Sequence, residues 1–313
     1  MGEWESPPAF PLNLIDRRDR LLTVIALLFT AIVLQVTDAQ LAQEPDSVMS
    51  TGREGGNYYY IGKRLKSAML LEHDAWIEIL TSRGSMENLR RLDDPASPVG
   101  VTLTQADALN RYLQHHPEFA SEFIVLGDAG KECVFVVARQ SGDLKTAASL
   151  KAATGGEISV DDNESGASVT FEYMSELEPG FRAITPVSVD VMEALLQLKV
   201  GGEHTKLKAA MIVQRPKARS APIKTLLENP DTYRLVPIKE ADVGNAQLPD
   251  GSVVYTFERV TVGGTSDLPS LEVDTLCTRG LMLASKEKLD KDLRSQLSEL
   301  MLESADKIIG SDE

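Results

Sequence analysis

The sequence contains few of the residues that build catalytic and metal-binding centres. Among its 313 residues there are only two Cys, four His and two Trp, and aromatic residues make up 5% of the chain. No HExxH, CxxC, GxSxG or P-loop pattern is present, so the common zinc, nucleophile and phosphate-binding motifs are missing. The histidines stand apart from one another except for the adjacent pair His115 and His116. We therefore predict that the protein is not an enzyme and that it has no catalytic residues, no bound metal and no cofactor.

Cysteine is too scarce for a disulfide framework. The two cysteines, Cys133 and Cys277, lie far apart in the chain. They can pair in an oxidising compartment, but buried cysteines also behave as small apolar side chains. We favour two buried thiols, with a single disulfide as the alternative.

Positive charge is also in short supply. The chain has 32 Lys and Arg residues against 47 Asp and Glu residues, and its net charge is −15 at pH 7. Nucleic-acid binding requires a basic surface that neutralises phosphate groups. We therefore expect no nucleic-acid partner.

A long hydrophobic run stands near the N-terminus. The sequence DRRDR, residues 16–20, precedes the uncharged stretch Leu21–Val36. A basic segment, an apolar segment and small residues after it are typical of an export signal. We predict that residues 1–42 are a signal peptide, cleaved near Gln40 or Gln43, and that the protein is periplasmic. Because about 17 uncharged residues is the lower limit for crossing a bilayer, the alternative is an inner-membrane anchor formed by residues 21–36.

Strand-like and helix-like segments alternate along the rest of the chain. The spacing of apolar residues predicts a helix over Asn57–Leu71, in which Tyr60 faces the core, and a strand follows at Ala75–Leu80. Two apolar runs rich in β-branched residues, Glu122–Gly127 and Cys133–Arg139, are typical of strands. Such alternation predicts an α/β protein with largely parallel sheets.

Three strand-to-helix junctions carry glycine or serine. In parallel sheets, ligands collect where strands end and helix N-termini present free amide N–H groups. Three such junctions at similar places in successive units therefore predict a ligand site. They are Gly55-Gly56-Asn57, Gly84-Ser85 and Ser165-Gly166-Ala167-Ser168.

Five segments, read in order, resemble a known family. They are TGREGGNYYYIG, RGSMENLRRL, VTLTQADAL, SGASVT and VDTLCTRGLMLAS. Together they are similar to the TAXI-type solute receptors of TRAP transporters, over about residues 50–309. The Gly-Gly-x-Tyr-Tyr and Ser-x-Glu-Asn-Leu elements are the most specific part of the resemblance.

The resemblance implies a type II periplasmic-binding-protein fold. In that fold two α/β lobes are joined by crossing strands, and a small ligand lies in the cleft between them. We expect lobe one to comprise residues 45–138 plus 260–313, and lobe two residues 139–259. The expected function is capture of a small solute, carboxylate-bearing or amino-acid-like, for membrane permease subunits.

The resemblance also implies a set of ligand-binding residues. Glycines let the backbone approach a ligand and tyrosines wall it, and arginines from both lobes offer a bidentate clamp for a carboxylate. The sequence departs from the usual family pattern at Arg53, Glu54 and Asn57, so the ligand is not defined by the resemblance. The positions carried over from the resemblance are Asn57, Tyr58, Ser85, Gln105, Ser165 and Ser168. From the residues themselves we add the junction residues Gly55, Gly56, Tyr59 and Gly166 and the arginines Arg53, Arg83 and Arg215.

Two other functions are compatible with the same fold. A membrane-anchored periplasmic sensor would keep its N-terminal segment and signal through a docked partner. An enzyme on the two-lobed scaffold is the third hypothesis, because a fold does not determine a function. No acid–base constellation in the sequence supports the enzyme.

Overall fold

The computed structural model describes residues 44–201, 205–218, 220–239, 243–264 and 269–310. The predicted signal peptide or anchor, residues 1–42, lies outside the described residues. Among the residues described, none of the helices has the length and apolar character needed to cross a membrane. Residues Asp46–Glu313 form one compact unit. The boundaries expected between lobe one and lobe two therefore remain a prediction.

Strands and helices alternate in the described part of the chain. The strands are β1 (Ser47–Ser50), β2 (Ile77–Leu80), β3 (Val99–Gln105), β4 (Phe123–Arg139), β5 (Glu157–Ser159), β6 (Thr185–Val187), β7 (Leu207–Gln214), β8 (Tyr233–Val236), β9 (Tyr255–Gly263) and β10 (Ser270–Ser285). The α-helices are α1 (Asn57–His73), α2 (Ser85–Asp93), α3 (Ala106–His115), α4 (Ala147–Lys151), α5 (Gly166–Leu177), α6 (Val191–Val200), α7 (Ala221–Glu228), α8 (Lys291–Glu303) and α9 (Ala305–Ile309). Short 3-10 turns cover Pro117–Ser121, Pro179–Ala183 and Val243–Asn245.

The strands form two parallel groups. Strand β1 pairs in parallel with β2 and β3, which we call the first strand group, and β5 pairs in parallel with β6 and β7, the second strand group. The long antiparallel strands β4 and β10 lie between the groups in the order β2-β1-β3-β10-β4-β7-β5-β6. Two parallel groups joined by crossing strands are what the type II periplasmic-binding-protein fold implies, so the predicted fold class is confirmed.

The crossing strands β4 and β10 change partners halfway along their length. The first part of β4 pairs with β10, and its last part, Cys133–Arg139, pairs with β7 and β8. Strand β10 pairs with β9 in its first part and with β3 near its end. The two apolar runs expected as separate strands are therefore one 17-residue strand, because β10 supplies hydrogen-bond partners to the glycine-containing stretch between them.

A disulfide joins the crossing strands where they part. Cys133 is paired in register with Cys277, the first residue of β10 that pairs with β4. The two sulfurs are bonded across a sequence separation of 144 residues. The expectation of two buried thiols is wrong, because the antiparallel pairing of β4 and β10 places the two cysteines directly opposite each other. This pairing is invisible to sequence spacing alone.

Helix α1 packs one apolar face against the first strand group. Tyr58, Ile61, Leu65 and Met69 are buried at helical spacing and share a core cluster with residues of β1, β3 and α8. Tyr60 was expected in the core, but it is 50% exposed. Its neighbour Tyr58, three residues before Ile61, occupies the buried position instead.

The Ser-x-Glu-Asn-Leu element has a structural role within the first strand group. Asn88, fully buried in α2, donates hydrogen bonds to the carbonyl oxygens of Thr51 and Leu103 and accepts one from the Ser50 hydroxyl at 2.6 Å. Glu87 accepts a hydrogen bond from the Arg83 backbone N–H at 2.9 Å. These bonds hold the start of α2 against the ends of β1 and β3, where the candidate site lies.

Candidate functional site

A cavity of about 620 Å³ opens where β1, β3 and β7 end. Its lining comes from the loop before α1, the starts of α1, α2 and α5, strand β4 and the segment after β7. The predicted residues that line it are Gly55, Gly56, Asn57, Tyr58, Ser85, Gln105, Gly166 and Arg215. The cavity therefore joins all three of the predicted strand-to-helix junctions.

Helices α1, α2 and α5, which follow the three predicted junctions, begin at the cavity wall. Helix α1 starts after Gly56 and α2 after Gly84, and neither start has a side-chain cap on its first-turn N–H groups. Helix α5 differs, because the Ser165 hydroxyl accepts a hydrogen bond from the Ser168 N–H at 3.1 Å. The starts of α1 and α2 thus present backbone donors and positive dipole ends toward the cavity.

Five predicted site residues do not line the cavity, namely Tyr59, Ser165 and Ser168 and the two arginines described below. Tyr59 packs edge-on against Tyr60, with ring centroids 5.8 Å apart. Ser165 also donates to the carbonyl oxygen of Val160 at 2.7 Å, and Ser168 is buried at the first turn of α5. The structure thus places Ser165 as a helix cap, and ligand contacts by these three residues stay a prediction.

Arg53 and Arg83, two of the three arginines predicted to bind a ligand carboxylate, form ion pairs with carboxylates of the protein. Neither arginine lines the cavity. Arg53 lies 3.2 Å from Asp161 and 3.3 Å from Asp162, and Arg83 lies 2.7 Å from Glu164. These pairs link loops of the first strand group to the loop before α5. Exposed ion pairs contribute roughly 0–1 kcal/mol each. As ligand clamps, Arg53 and Arg83 stay predictions.

Arg215 lines the cavity and also holds the end of the last helix. Its guanidinium donates to the carbonyl oxygens of Ile309 and Gly310, the latter at 2.6 Å. Arg64 donates to the carbonyl oxygens of Ile308 and Ile309. Burial, and then the charge of Arg215, lower the pKa of Arg64. Both arginines therefore satisfy carbonyls at the negative end of α9.

Several polar atoms in the cavity wall are buried without a partner among the described residues. They are both side-chain amide atoms of Gln105, Gln214 Nε2 and Ser220 Oγ. An unpaired buried polar group costs roughly 1–3 kcal/mol of stability, so folded proteins rarely retain several in one place. Their convergence on one cavity indicates a site for a polar ligand.

Glu132 is a buried carboxylate in the same cavity wall. It is 6% exposed and accepts a hydrogen bond from the Tyr58 hydroxyl at 3.2 Å. Burial raises the pKa of Glu132 to about 7 against the opposing effect of the Tyr58 hydrogen bond. The nearby charge of Asp107 raises the pKa further, whereas a hydrogen bond from the Asn57 side chain and the charge of Arg215 lower it. Glu132 is thus poised to change charge near neutral pH.

Part of the cavity lining could not be predicted from the sequence. The lining residues that were not predicted include Tyr60, Glu132, Gln214, Lys217 and Ser220. A signal for Glu132 exists in the sequence, because it is a charged residue directly before the apolar run Cys133–Arg139. No local pattern marks Gln214 or Ser220, which reach the cavity only because β7 pairs beside β4.

A buried polar network supports the two helix starts that flank the cavity. Asp107, in the first turn of α3, accepts hydrogen bonds from the hydroxyls of Thr170 at 2.5 Å and Tyr255 at 2.8 Å. Burial raises the pKa of Asp107, and these hydrogen bonds oppose the effect. The network holds α3 to α5, so Gln105 and Gly166 stay in contact at the cavity.

Among the described residues, no three or more His, Cys, Asp or Glu side chains are grouped so that they could hold a metal ion. The carboxylates of the cavity region instead contact hydroxyl groups or arginines. The arrangement is suited to binding a polar molecule through hydrogen bonds and charge.

Ligand-free protein is expected to lose stability as pH rises through neutrality, in part because of Glu132. The folded protein keeps the Glu132 proton up to about pH 7, whereas the unfolded chain releases it near the ordinary value of 4.5. The folded state therefore binds more protons between these values, and raising the pH favours unfolding. Relative to Glu132→Gln, the free energy of unfolding of the wild type should fall by about 2–3 kcal/mol from about pH 5 to about pH 8.

Urea unfolding of both proteins at several pH values measures this difference. The comparison cancels groups other than Glu132, including Asp107, which the two proteins share. A difference that stays constant with pH would contradict the assignment of the raised pKa to Glu132.

No protein-family model and no curated protein matches this sequence. Among solved structures, the chain is similar to XAC2383 from Xanthomonas citri bound to chloride ion, with 10% identity, 84% of this chain and 85% of that chain covered, and a TM-score of 0.49. It is similar to iron-bound HitA from Pseudomonas aeruginosa, with 14% identity, coverage of 85% and 84%, and a TM-score of 0.47. It is also similar to the periplasmic aliphatic sulphonate binding protein SsuA from Escherichia coli, with 15% identity, coverage of 85% and 72%, and a TM-score of 0.45. At TM-scores below 0.5, these likenesses do not define a ligand for this chain.

Proposed function

We propose that this protein is an extracytoplasmic solute receptor that captures a small, carboxylate-bearing molecule for a TRAP-type transporter. The observation that carries the proposal is the pair of unpartnered buried amides in the cavity, on Gln105 and Gln214. A volume of about 620 Å³ suits a small molecule. A solute with several hydrogen-bond acceptors would remove the penalty of leaving these groups unpaired.

Positive charge and amide donors favour a carboxylate. The uncapped starts of α1 and α2 offer backbone N–H groups, which attract anions at helix N-termini. Arg215 and Lys217 line the same cavity. Coupling to a TRAP-type permease is supported by the motif resemblance, whose Gly-Gly-x-Tyr-Tyr element covers Gly55, Gly56 and Tyr58 of the cavity wall.

The proposed capture step is closure of two lobes over the solute. Asn57 and Gln105 reach the cavity from the first strand group, and Gln214 and Arg215 reach it from the end of β7 in the second. We keep lobe one as residues 45–138 plus 260–313 and lobe two as residues 139–259. Hinge motion would then occur in the crossing strands, and the closed lobes would form the surface that a permease recognises.

Replacing Gln105 by Leu is expected to weaken solute binding by about tenfold, because both amide atoms then no longer meet the ligand. The melting temperature of the ligand-free protein should stay the same or rise, since the change removes unpaired buried polar atoms. Native mass spectrometry of gently purified protein identifies the co-purified solute, and calorimetry measures its affinity for each variant.

The matched control is Gln140→Leu, which makes the same chemical change at an exposed turn. It should leave solute affinity unchanged. If Gln105→Leu binds the co-purified solute as tightly as Gln140→Leu does, the cavity is not the binding site and the proposed function loses its main support.

A further inference from the structure

Ion pairs join the two strand groups along one rim of the cavity. Glu164 lies in the loop between β5 and α5, on the side of the second strand group. One of its carboxylate oxygens lies 2.7 Å from Arg83 Nη2, and the other lies 2.5 Å from Arg90 Nη2. Arg83 precedes α2 and Arg90 lies within it, on the side of the first strand group. Two arginines of one group therefore hold both oxygens of a carboxylate from the other.

A second set of ion pairs reinforces the first. Residues 161–165, which we call the acidic loop, also contain Asp161 and Asp162. Arg53, between β1 and α1, lies 3.2 Å from Asp161 and 3.3 Å from Asp162. The Asp162 side chain accepts a hydrogen bond from the Glu164 backbone N–H at 3.0 Å, which links the two sets. Three arginines of the first strand group thus meet three carboxylates of the acidic loop.

Arg83 is held in place before it reaches the acidic loop. Its Nε lies 3.3 Å from Glu87 of α2, and Glu87 also pairs with Arg91 at 2.5 Å. An isolated exposed ion pair is weak partly because two long side chains must be immobilised in one geometry. A guanidinium that is already fixed by its own helix loses less freedom when it meets Glu164. The network should therefore hold more firmly than separate surface pairs.

The ion pairs stand directly beside residues that line the cavity. Arg83 precedes Gly84 and Ser85, and Glu164 is two residues before Gly166. The two backbones also meet here, since a Cβ at Gly84 would lie 2.1 Å from the Glu164 carbonyl oxygen. Moving the two walls of the cavity apart at this rim would therefore break the ion pairs.

The contact between α3 and α5 is of a different kind. There, Asp107 accepts from the Thr170 hydroxyl at 2.5 Å, and Asn110 donates to the Tyr173 hydroxyl at 2.8 Å, all within the buried interior. Breaking buried hydrogen bonds is costly, whereas the arginine side chains of the rim are 45% to 58% exposed and can exchange their partners for water. Opening is thus easiest at the acidic loop.

We propose that Glu164, Arg83 and Arg90 form an ionic latch, reinforced by Arg53, that keeps the cavity closed and slows release of the solute. The inference rests on the proposed function, because it assumes that solute leaves when the strand groups separate. It adds positioning residues that do not line the cavity. The latch exists only in the closed form, so its loss should raise the dissociation rate more than it changes the association rate.

Small-angle scattering of the ligand-free protein tests the latch without any solute. Raising NaCl from about 0.1 M to about 1 M shortens the screening length from about 10 Å to about 3 Å and weakens exposed ion pairs. We expect the radius of gyration of the wild type to rise with salt. Glu164→Lys should have the larger radius at both salt concentrations, because it places like charges beside Arg83 and Arg90.

Glu272 provides the matched control for these changes. It pairs with Arg259 at 2.8 Å, but both residues belong to the adjacent strands β9 and β10, so closure does not affect the pair. Glu272→Lys should show the same radius of gyration and the same salt response as the wild type. Glu272→Gln serves in the same way for the kinetic measurement.

Surface plasmon resonance gives the rates for the co-purified solute. Across Glu164→Asp, Glu164→Gln and Glu164→Lys the dissociation rate should rise in that order, by about fivefold for the Gln variant, with association rates within about twofold of the wild type. A merely structural role for Glu164 would lower the urea midpoint of unfolding and leave both rates and the radius of gyration unchanged.

The outcomes separate the latch from the proposed function. A radius of gyration that responds neither to salt nor to Glu164→Lys overturns the latch, whether or not a solute co-purifies. A dissociation rate in Glu164→Gln that equals that of Glu272→Gln also overturns it, and leaves the receptor function standing. If the radius responds as expected but Gln105→Leu binds solute as tightly as Gln140→Leu, the ion pairs control closure and the proposed binding site is wrong.

Discussion

Loss of the Cys133–Cys277 disulfide is expected to lower the free energy of unfolding by about 2–5 kcal/mol. The bond closes a loop across a sequence separation of 144 residues. In the chain-entropy account, linking residues so far apart removes many conformations from the unfolded state. Both cysteines are buried, so the bond is part of the packed interior.

The position of the bond adds a functional consequence. At Cys133, strand β4 leaves β10 and begins to pair with β7. Strand β10 runs beside β9 first and begins to pair with β4 at Cys277. The disulfide therefore holds together the two crossing strands in which we propose the hinge motion. Glu132 precedes Cys133 directly, so cutting the bond should also weaken solute binding.

Urea unfolding of the double variant Cys133→Ala/Cys277→Ala, beside the oxidised and the reduced wild type, tests this expectation. The reduced wild type controls for the loss of packing in the alanine variant, because it keeps both sulfur atoms. A double variant within about 1 kcal/mol of the oxidised wild type would show that the bond does not constrain the unfolded chain.

Replacing Gly84 by Ala is expected to weaken binding of the co-purified solute by about 100-fold or more. Gly84 has φ 155° and ψ −165°, a region that is essentially restricted to glycine. A Cβ at this position would lie 2.1 Å from the carbonyl oxygen of Glu164, in the loop before α5. Because Gly84 and Glu164 approach the cavity from opposite strand groups, the added methyl group should hold the two sides apart.

Gly155→Ala is the matched control for Gly84→Ala. Gly155 also has a positive φ, 74°, but a Cβ there would meet nothing within 4 Å. Both variants place a Cβ at a residue with positive φ, but only the Gly84 variant brings that Cβ against Glu164. Small-angle scattering of ligand-free Gly84→Ala should give a larger radius of gyration than Gly155→Ala. Equal solute affinity in the two variants would rule out closure of the cavity at this contact.

Much of the local structure could be predicted from the sequence, because it depends on near neighbours in the chain. The apolar spacing in α1 and the glycine or serine before α1, α2 and α5 predicted where these helices begin. Parallel strands place such helix starts at one edge of a sheet, so Asn57, Ser85 and Gly166 were expected near one another. All three line the cavity.

The features of the site that the sequence could not predict depend on contacts between residues that are distant in the chain. Arg53 and Arg83 have the charge of a ligand clamp, but Asp161 and Glu164, distant in the chain, supply nearer carboxylates. Tyr60 was expected in the core because it is a large aromatic residue in an amphipathic helix. The face of α1 that packs on the core carries Tyr58 instead, and Tyr60 is exposed. These outcomes depend on which segments meet, and that information is not contained in local spacing.

The sequence by itself determined the alternation of strands and helices and the positions of the helix starts that line the cavity, because periodicity and turn residues act locally. Only the tertiary structure decided that Cys133 meets Cys277 and that Glu132 faces the cavity. The physical reason lies in the crossing strands. Antiparallel pairing of β4 with β10 brings together residues that are 144 positions apart, and burial of that pairing raises the pKa of Glu132 to about 7.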